Sequence, residues 1–584
     1  MQTQRTILLI IFSMSLLLLW DAWQKHNGQP SMFAASPGAK SSAAAAGSSS
    51  ATSTGTAAAR RGPEGSPAAD IPRASNQATP TTASGESAAA ADTVSSATAG
   101  LSGATTTSRT IVLRNDVLAL TIDTLGGTIT RAELLRYRDA EQRQSQAVLL
   151  TAGAGKTYLA QTGLIGSPAW PTHRTPFVPA TEQTVVEASA DRPADLTLTG
   201  ESGGVTVVKR FTLTNGSYQL GVTHEVQNTS ENAVTPSIYL QLTRDAHKPP
   251  GESQFYSTYT GPAVYTEESK FQKIDFADIE KGKVPAAKTV ADGWTGMIQH
   301  YFVAAWVPPS KAEREFFARK IDTGLYAVGA IQPLGALQPG ARTSSAAVLY
   351  VGPQNQHVLE QVAPGLDLVV DYGWLTVIAK PLYWLLETLH GLVGNWGWAI
   401  VLLTIVVKLA FFPLQAASYR SMAKMKQVTP KMTALRERFG DDRIKLNQAM
   451  MELYKTEKVN PMAGCLPVVV QIPVFISLYW VLLASVEMRD APWVGWIQDL
   501  ATPDPYYVLP LIMAATMVLQ TKLNPTPPDP VQAKVMMVMP LIFSVMFFFF
   551  PAGLVLYWLV NNVFSIAQQW VITRQVEHGS RRKT

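Results

Sequence analysis

One run limits what the rest of this chain can be. Residues 396–414, WGWAIVLLTIVVKLAFFPL, number about nineteen, and at ~1.5 Å rise per residue a helix of that length reaches across a ~30 Å hydrocarbon layer. Its only ionisable side chain is Lys408. A cation near the middle of a span costs about 3 kcal/mol or more unless it meets water or a partner, so its presence points to a functional site. Snorkelling is the plainer account. Lys408, however, stands about ten residues before the basic segment that starts at Tyr419, roughly 15 Å of helix, and a lysine stem covers only part of that. A water-exposed pocket inside the membrane is therefore the preferred reading.

The 584 residues imply two or more folding units. A composition 47% hydrophobic and 16% charged is apolar for a soluble protein, and the apolar residues are concentrated in long runs towards the C-terminus. The net charge of +5 is too small to argue for nucleic acid. The single cysteine, Cys465, excludes an intrachain disulfide and a multi-cysteine metal site, and the eight histidines form no HExxH pattern.

In chain order, residues 1–24 carry Arg5 and then TILLIIFSMSLLLLW, read as an uncleaved anchor rather than a signal peptide, because the weak Ala34-Ala35 cleavage site lies far downstream. Arg5 places the N-terminus in the cytoplasm. Residues 25–108 are an Ala/Ser/Thr-rich tract too poor in large apolar groups to offset chain entropy, and are expected to be a disordered tether. Residues 109–352 switch to period-two alternation. TIVLRNDVLALTIDTLGGTITRAEL and DLTLTGESGGVTVVKRFTLTNGSYQLGVTHEVQN each read as three strands punctuated by glycine turns, so an all-β sandwich on the outer side is expected. GAGKT at 153–157 imitates the end of a phosphate-binding loop, but Leu150 occupies the first glycine position and no βαβ pattern follows. Residues 353–394 form a linker and an amphipathic helix lying in the membrane surface, with Trp374, Tyr383 and Trp384 at the interface.

Five more spans are expected, near 396–414, 464–486, 506–522, 535–550 and 553–573, making six with the anchor. The loop 416–461 holds ten basic and five acidic residues and belongs in the cytoplasm, whereas 487–505 has one basic residue and belongs outside. The basic tail, 575–584, puts the C-terminus in the cytoplasm. The cytoplasmic loop reads as two helices meeting at Gly440, with Asp441 or Asp442 capping the second, and with Met432, Leu435 and Phe439 facing Leu446, Met450 and Leu453. Its methionines and basic face suit contact with hydrophobic segments, ribosomal RNA or anionic lipid, although core packing explains most of the methionines. Intramembrane carboxylate pairs and a nucleophile–base set are both missing from these spans, which argues against an ion-coupled transporter and against an enzyme. A small-solute or ion transporter stays as the alternative function.

The C-terminal region resembles the YidC family of membrane protein insertases. The resemblance is carried by NWGWAIVLLTIVVK (395–408), YRSMAKMKQVTPKM (419–432), YKTEKVNPMAGCLPVVVQIPVF (454–475), DPYYVLP (504–510) and FPAGLVLYWLVNN (550–562). The anchor, tether and outer β-domain match the layout of Gram-negative members. The resemblance implies a five-helix insertase core over 395–574 with a groove open to cytoplasm and lipid, in which Lys408 stands where those members commonly have arginine. Thr404, Gln471 and Trp558 fall at further groove positions. Met422, Lys424, Met425, Arg436 and Arg438 fall on the cytoplasmic hairpin expected to meet substrate or ribosome. The outer domain resembles a sugar-enzyme-like sandwich for which the family has no sugar chemistry. The implied function is insertion and folding of inner-membrane proteins, alone or with the Sec translocon. The implied partners are nascent chains, the ribosome, the signal recognition particle pathway and lipid, with no nucleotide, metal or other cofactor.

Overall fold

Alternation and glycine turns build the first half of the molecule. The strands Ala194–Ser202 and Val205–Leu213 alternate buried and more exposed side chains, and are joined at Gly203-Gly204, both with positive φ, the geometry a two-residue hairpin requires. Gly126 and Gly127, also with positive φ, end the four-residue turn between Leu118–Asp123 and Thr128–Arg138. This computed structural model describes residues 70–73, 108–139, 142–153, 155–247, 249, 258–284, 289–440, 442–457, 466–523 and 530–581. The expected anchor, most of the expected tether, Cys465 and the last three tail residues lie outside the described residues.

The strands form two antiparallel-dominated sheets. The ten-stranded sheet runs, in spatial order, Thr289–Val290, Arg314–Asp322, Leu325–Pro333, Ser237–Asp245, Lys156–Ile165, Gln146–Gly153, Thr128–Arg138, Leu118–Asp123, Thr110–Arg114 and Val185–Glu187. The nine-stranded sheet runs Lys270–Lys273, Gly261–Thr266, Trp294–Ile298, Phe302–Val307, Arg342–Pro353, Gln219–Asn228, Val205–Leu213, Ala194–Ser202 and Val178–Pro179. Their inner faces share one core that includes Leu120, Leu198, Phe211, Leu240, Trp294 and Trp306. The GAGKT segment is a strand turn: Gly153 ends one strand and pairs with Lys156, which begins the next.

A helical part follows. By its internal contacts the chain forms two units, one containing Gln427–Asn460 and the other Ser66–Lys426 with Pro461–Thr584. The helix Thr376–Val393 buries Ala379, Tyr383 and Leu386 and exposes Val377, Trp384 and Leu392, with Trp374 exposed just before it. Tyr383, expected at the interface with Trp384, thus turns inward, because positions one apart on a helix point about 100° apart.

The run 396–414 is not one straight helix. Trp396–Ala410 stops at Phe411, and Phe412–Phe439 departs at 67°. Pro413, near the start of the second helix, has no N–H to continue the ladder of the first. Lys408 therefore sits in the last turn of a short helix, where the C-terminal dipole favours a cation, rather than at the middle of a span. Leu466–Ala484, Val508–Leu523, Pro530–Met546 and Ala552–Arg581 complete this part. Among the described residues no single helix is long and apolar enough to cross a membrane, while the bent pair passes on length and composition.

The family-like motifs have local physical roles. Asn395 caps its helix by accepting from Trp398 N (3.1 Å) and donates to Pro492 O (2.9 Å). Gly397 leaves room for the Trp493 ring, since a Cβ there would lie 2.2 Å from Trp493 Cδ1. Buried Asp504 accepts from Trp496 Nε1 (3.0 Å), Tyr506 N (3.0 Å) and Leu509 N (2.8 Å), fixing the start of Val508–Leu523. In the smaller unit, Asp442 caps Arg443–Thr456 through Ile444 N and Lys445 N, and Lys431 pairs with Glu457 at 2.6 Å. Met432 and Met450 are buried there.

Candidate functional site

Lys408 is 8% exposed, and its hydrogen-bond partners among the described residues are uncharged. Its ammonium donates to Ser565 Oγ at 2.6 Å and, more weakly, to Gln415 Oε1 at 3.4 Å. Ser565 can accept because its own hydroxyl proton goes to Asn561 O (2.8 Å), one turn earlier on Ala552–Arg581. The chain of donors continues away from the lysine. Gln415 Nε2 approaches Gln471 Oε1 at 3.4 Å, and Gln471 Nε2 donates to Tyr557 Oη at 3.0 Å. Four helices thus contribute to one polar thread inside an otherwise apolar packing: Trp396–Ala410, Phe412–Phe439, Leu466–Ala484 and Ala552–Arg581.

Of the residues singled out from sequence, Lys408 and Gln471 are linked through Gln415. Thr404 is fully buried one turn before Lys408, and its hydroxyl returns to Ile400 O of its own helix (2.7 Å). Trp558 stands apart from the thread. Its ring packs edge-on against Phe475 (4.6 Å between centroids) and near Phe547 (5.0 Å), and its buried Nε1 has no hydrogen-bond partner among the described residues. Met422, Lys424 and Met425 belong to the larger unit, with both methionines half-buried and Lys424 exposed; Arg436 and Arg438 belong to the smaller unit and are exposed. Arg438 lies over the Phe439 ring at 5.4 Å.

Gln415, Tyr557 and Ser565 were not anticipated. Tyr557, Asn561 and Ser565 follow one another at intervals of four, a polar stripe on one helix face that the sequence does contain.

The β-domain is fastened to the helical part beside this bundle. Arg143 pairs with the buried carboxylate of Asp499 (2.9 Å), Arg489 donates to Arg138 O, and Asn355 donates to Glu487 Oε1 (2.9 Å). His300 donates through Nε2 to Leu483 O (2.8 Å), and burial pulls its imidazole down to about 4, so it is neutral at physiological pH. Burial pushes the Glu487 and Asp499 carboxyls up. Among the described residues no cluster of His, Cys, Asp and Glu could hold a metal ion.

The described residues thus form a two-part protein, a double β-sheet domain joined to a helical bundle with a buried cation. The comparisons name the class. Residues 110–385 match the family model described as YidC periplasmic domain, and residues 388–579 match the one described as 60Kd inner membrane protein. Membrane protein insertase YidC of Cupriavidus taiwanensis is 52% identical over 579 residues, covering 99% of both chains. That of Bordetella petrii is 53% identical over 580 residues, covering 99% of this chain and 98% of the relative. The chain belongs to the YidC family of membrane protein insertases. Among solved structures, an active YidC insertase with its first transmembrane domain resolved aligns at a TM-score of 0.37 and 17% identity, over 79% of this chain and 92% of that one. A putative aldose 1-epimerase from Escherichia coli aligns at 0.25 and 14%, over 42% of this chain and 99% of that one.

Proposed function

We propose that this protein inserts nascent inner-membrane proteins through a polar groove floored by Lys408, open to the cytoplasm and to lipid. The observation that carries the reading is a buried ammonium whose hydrogen-bond partners, Ser565 and Gln415, are both neutral. A buried cation with no counter-charge is costly, and a protein keeps one where a transient anion completes it. An acidic or polar tail of a substrate supplies that anion. The thread Gln415–Gln471–Tyr557 offers the tail further hydrogen bonds, so it need not cross the full apolar thickness unsolvated. The hydrophobic part of the substrate then leaves sideways into lipid, driven by apolar burial of ~25 cal/mol per Å². No step uses a nucleotide, a cofactor or catalysis.

In this reading six spans traverse the inner membrane with both termini in the cytoplasm, and the β-domain lies in the periplasm. The hairpin residues Met422, Lys424, Met425, Arg436 and Arg438 receive substrate or ribosome, and the Sec translocon and the signal recognition particle pathway deliver part of the substrates. The test is complementation. Cells depleted of their own insertase would express this chain together with a single-span substrate bearing an acidic outer tail. Protease digestion of that tail from the periplasmic side is expected. A tail that stays protected, with the chain present in the membrane at normal level, would refute the insertase function for such substrates.

A further inference from the structure

The outer face of the ten-stranded sheet is covered by a piece of chain from far away in sequence. Along Ser237–Asp245, Ile238, Leu240 and Leu242 point into the main core. Tyr239, Gln241 and Thr243 point the other way, yet all three are buried. A face of that kind is normally solvated. Here residues 70–73, Asp-Ile-Pro-Arg, lie on it. Ile71 packs into a separate small apolar cluster of Ile165, Tyr239 and Ile331, edged by Phe317. Pro72 is buried and Arg73 exposed.

The contacts read like recognition rather than casual covering. Asp70 Oδ2 accepts from His173 Nε2 (2.9 Å), and its Oδ1 meets Arg174 (2.7 Å). Burial alone would raise the Asp70 carboxyl, but the bonds from His173 and Arg174 outweigh it and hold it down to about 2, so it is charged at neutral pH. His173 is itself oriented by Tyr239, whose hydroxyl lies 2.5 Å from Nδ1. The backbone is read as well: Gln241 Nε2 donates to Asp70 O (3.2 Å) and Arg319 donates to Ile71 O (3.1 Å). Proline at the third position favours an extended backbone for Ile71, which aims its side chain into the sheet and its carbonyl along it. Gln241 Oε1 and two further nitrogens of Arg319 are buried there without partners among the described residues, so the site has hydrogen-bonding capacity beyond what it now uses.

We propose that this face is a binding site for a short peptide of the order acidic residue, branched aliphatic residue, proline, and that residues 70–73 are its resident ligand, clamping the polar N-terminal tract to the β-domain. Each part of the motif has its own receptor: the His173–Arg174 pair for the carboxylate, the Ile165–Tyr239–Ile331 dent for the aliphatic group, and Arg319 with Gln241 for the backbone. The clamp gives the chain a point of attachment to the β-domain at residues 70–73, well before the first strand at Thr110. In the empty state the same site takes an equivalent peptide supplied in trans.

The test uses the full chain in detergent. Between Arg61 and Arg109 the only tryptic site is Arg73, with Arg61 just outside the clamp. Cleavage after Arg73 should be about tenfold or more slower than after Arg61, because the protease must wait for release. Asp70→Ala combined with Ile71→Ser should bring the two rates within about twofold. A fluorescent peptide of residues 66–77 should bind that double variant and bind wild type at least about tenfold more weakly, since the tethered segment competes at high effective concentration. Adding His173→Ala should abolish binding in trans, with the variant's thermal unfolding checked to show that the domain still folds. Equal cleavage at Arg61 and Arg73 in wild type would overturn the clamp. Failure of the peptide to bind the double variant would overturn the peptide site and reduce residues 70–73 to a packing extension.

Discussion

If an uncompensated positive charge at Lys408 draws substrate tails into the bundle, charge and stability can be separated at that position. Lys408→Met removes a hydrogen bond to Ser565 worth about 1.5–3 kcal/mol. It also removes the cost of burying a cation, and exchanges of buried charged groups for apolar ones of similar volume are often close to neutral. Folding should therefore survive. The functional loss follows from Coulomb attraction: an acidic group about 5 Å from the ammonium, at an effective dielectric of about 20, gains ~3 kcal/mol, or roughly a hundredfold in occupancy. Lys408→Arg keeps the charge and should insert an acidic-tailed substrate at near the wild-type rate. Lys408→Met should slow it towards that hundredfold limit, and Lys408→Glu should slow it further by repulsion. The assay is the rate at which the substrate's outer tail becomes digestible in insertase-depleted cells, with the level of each variant in the membrane measured in parallel. A neutral-tailed substrate serves as control and should respond less than tenfold. Equal rates for Lys408→Glu and wild type on the acidic tail, with both proteins folded, would refute the charge reasoning.

Three other outcomes follow from the geometry. Lys209 is fully buried, donates to Gly126 O, Thr162 O and Thr162 Oγ1, and is held down to about 7 by burial against an ordinary 10.5. The unfolded chain binds the proton that the folded one releases, so stability should rise between pH 7 and 10.5, and Lys209→Met should flatten that rise in thermal unfolding. Asp504→Ala removes all three bonds at the start of Val508–Leu523 and should cost about 2 kcal/mol or more, read as a lowered unfolding midpoint in detergent. Among the described residues Ser565→Ala leaves Lys408 the 3.4 Å contact to Gln415, and should lower insertion modestly, well short of Lys408→Met, if charge rather than the serine bond is what counts.

Much of the β-domain was legible because period-two runs and Gly-Gly turns are local signals. Lys408 stands out along the chain for a different reason: it is one cation in an apolar run. Its surroundings were harder to read. Gln415, Gln471 and Ser565 come from three other helices, and nothing along the chain says which polar side chains will meet. The stop at Phe411 was missed although Pro413 lies beside it, because hydropathy averages across a bend that backbone chemistry produces. The clamp at residues 70–73 escaped for the same reason of scale: four residues do not alter the composition of an Ala/Ser/Thr tract. Tyr383 was grouped with Trp384 as an interface residue by type, whereas helix phase turns one inward and the other out.

The joint between the β-domain and the helical part ties together residues that are made far apart in time. His300 and Leu483 are 183 residues apart, Arg138 and Arg489 are 351, and Arg143 and Asp499 are 356. At ~5–20 residues per second, a ribosome reaches Arg489 about 20–70 s after Arg138. A domain of this size has that interval to fold before any of its later partners exists. The joint then closes only after the domain's own strands are complete, and the finished domain acts as a fixed seat onto which the segment from Leu483 to Thr502 is set as it emerges. A slow-folding variant of the β-domain would thus be felt first as a misplaced loop in a part of the chain it does not belong to.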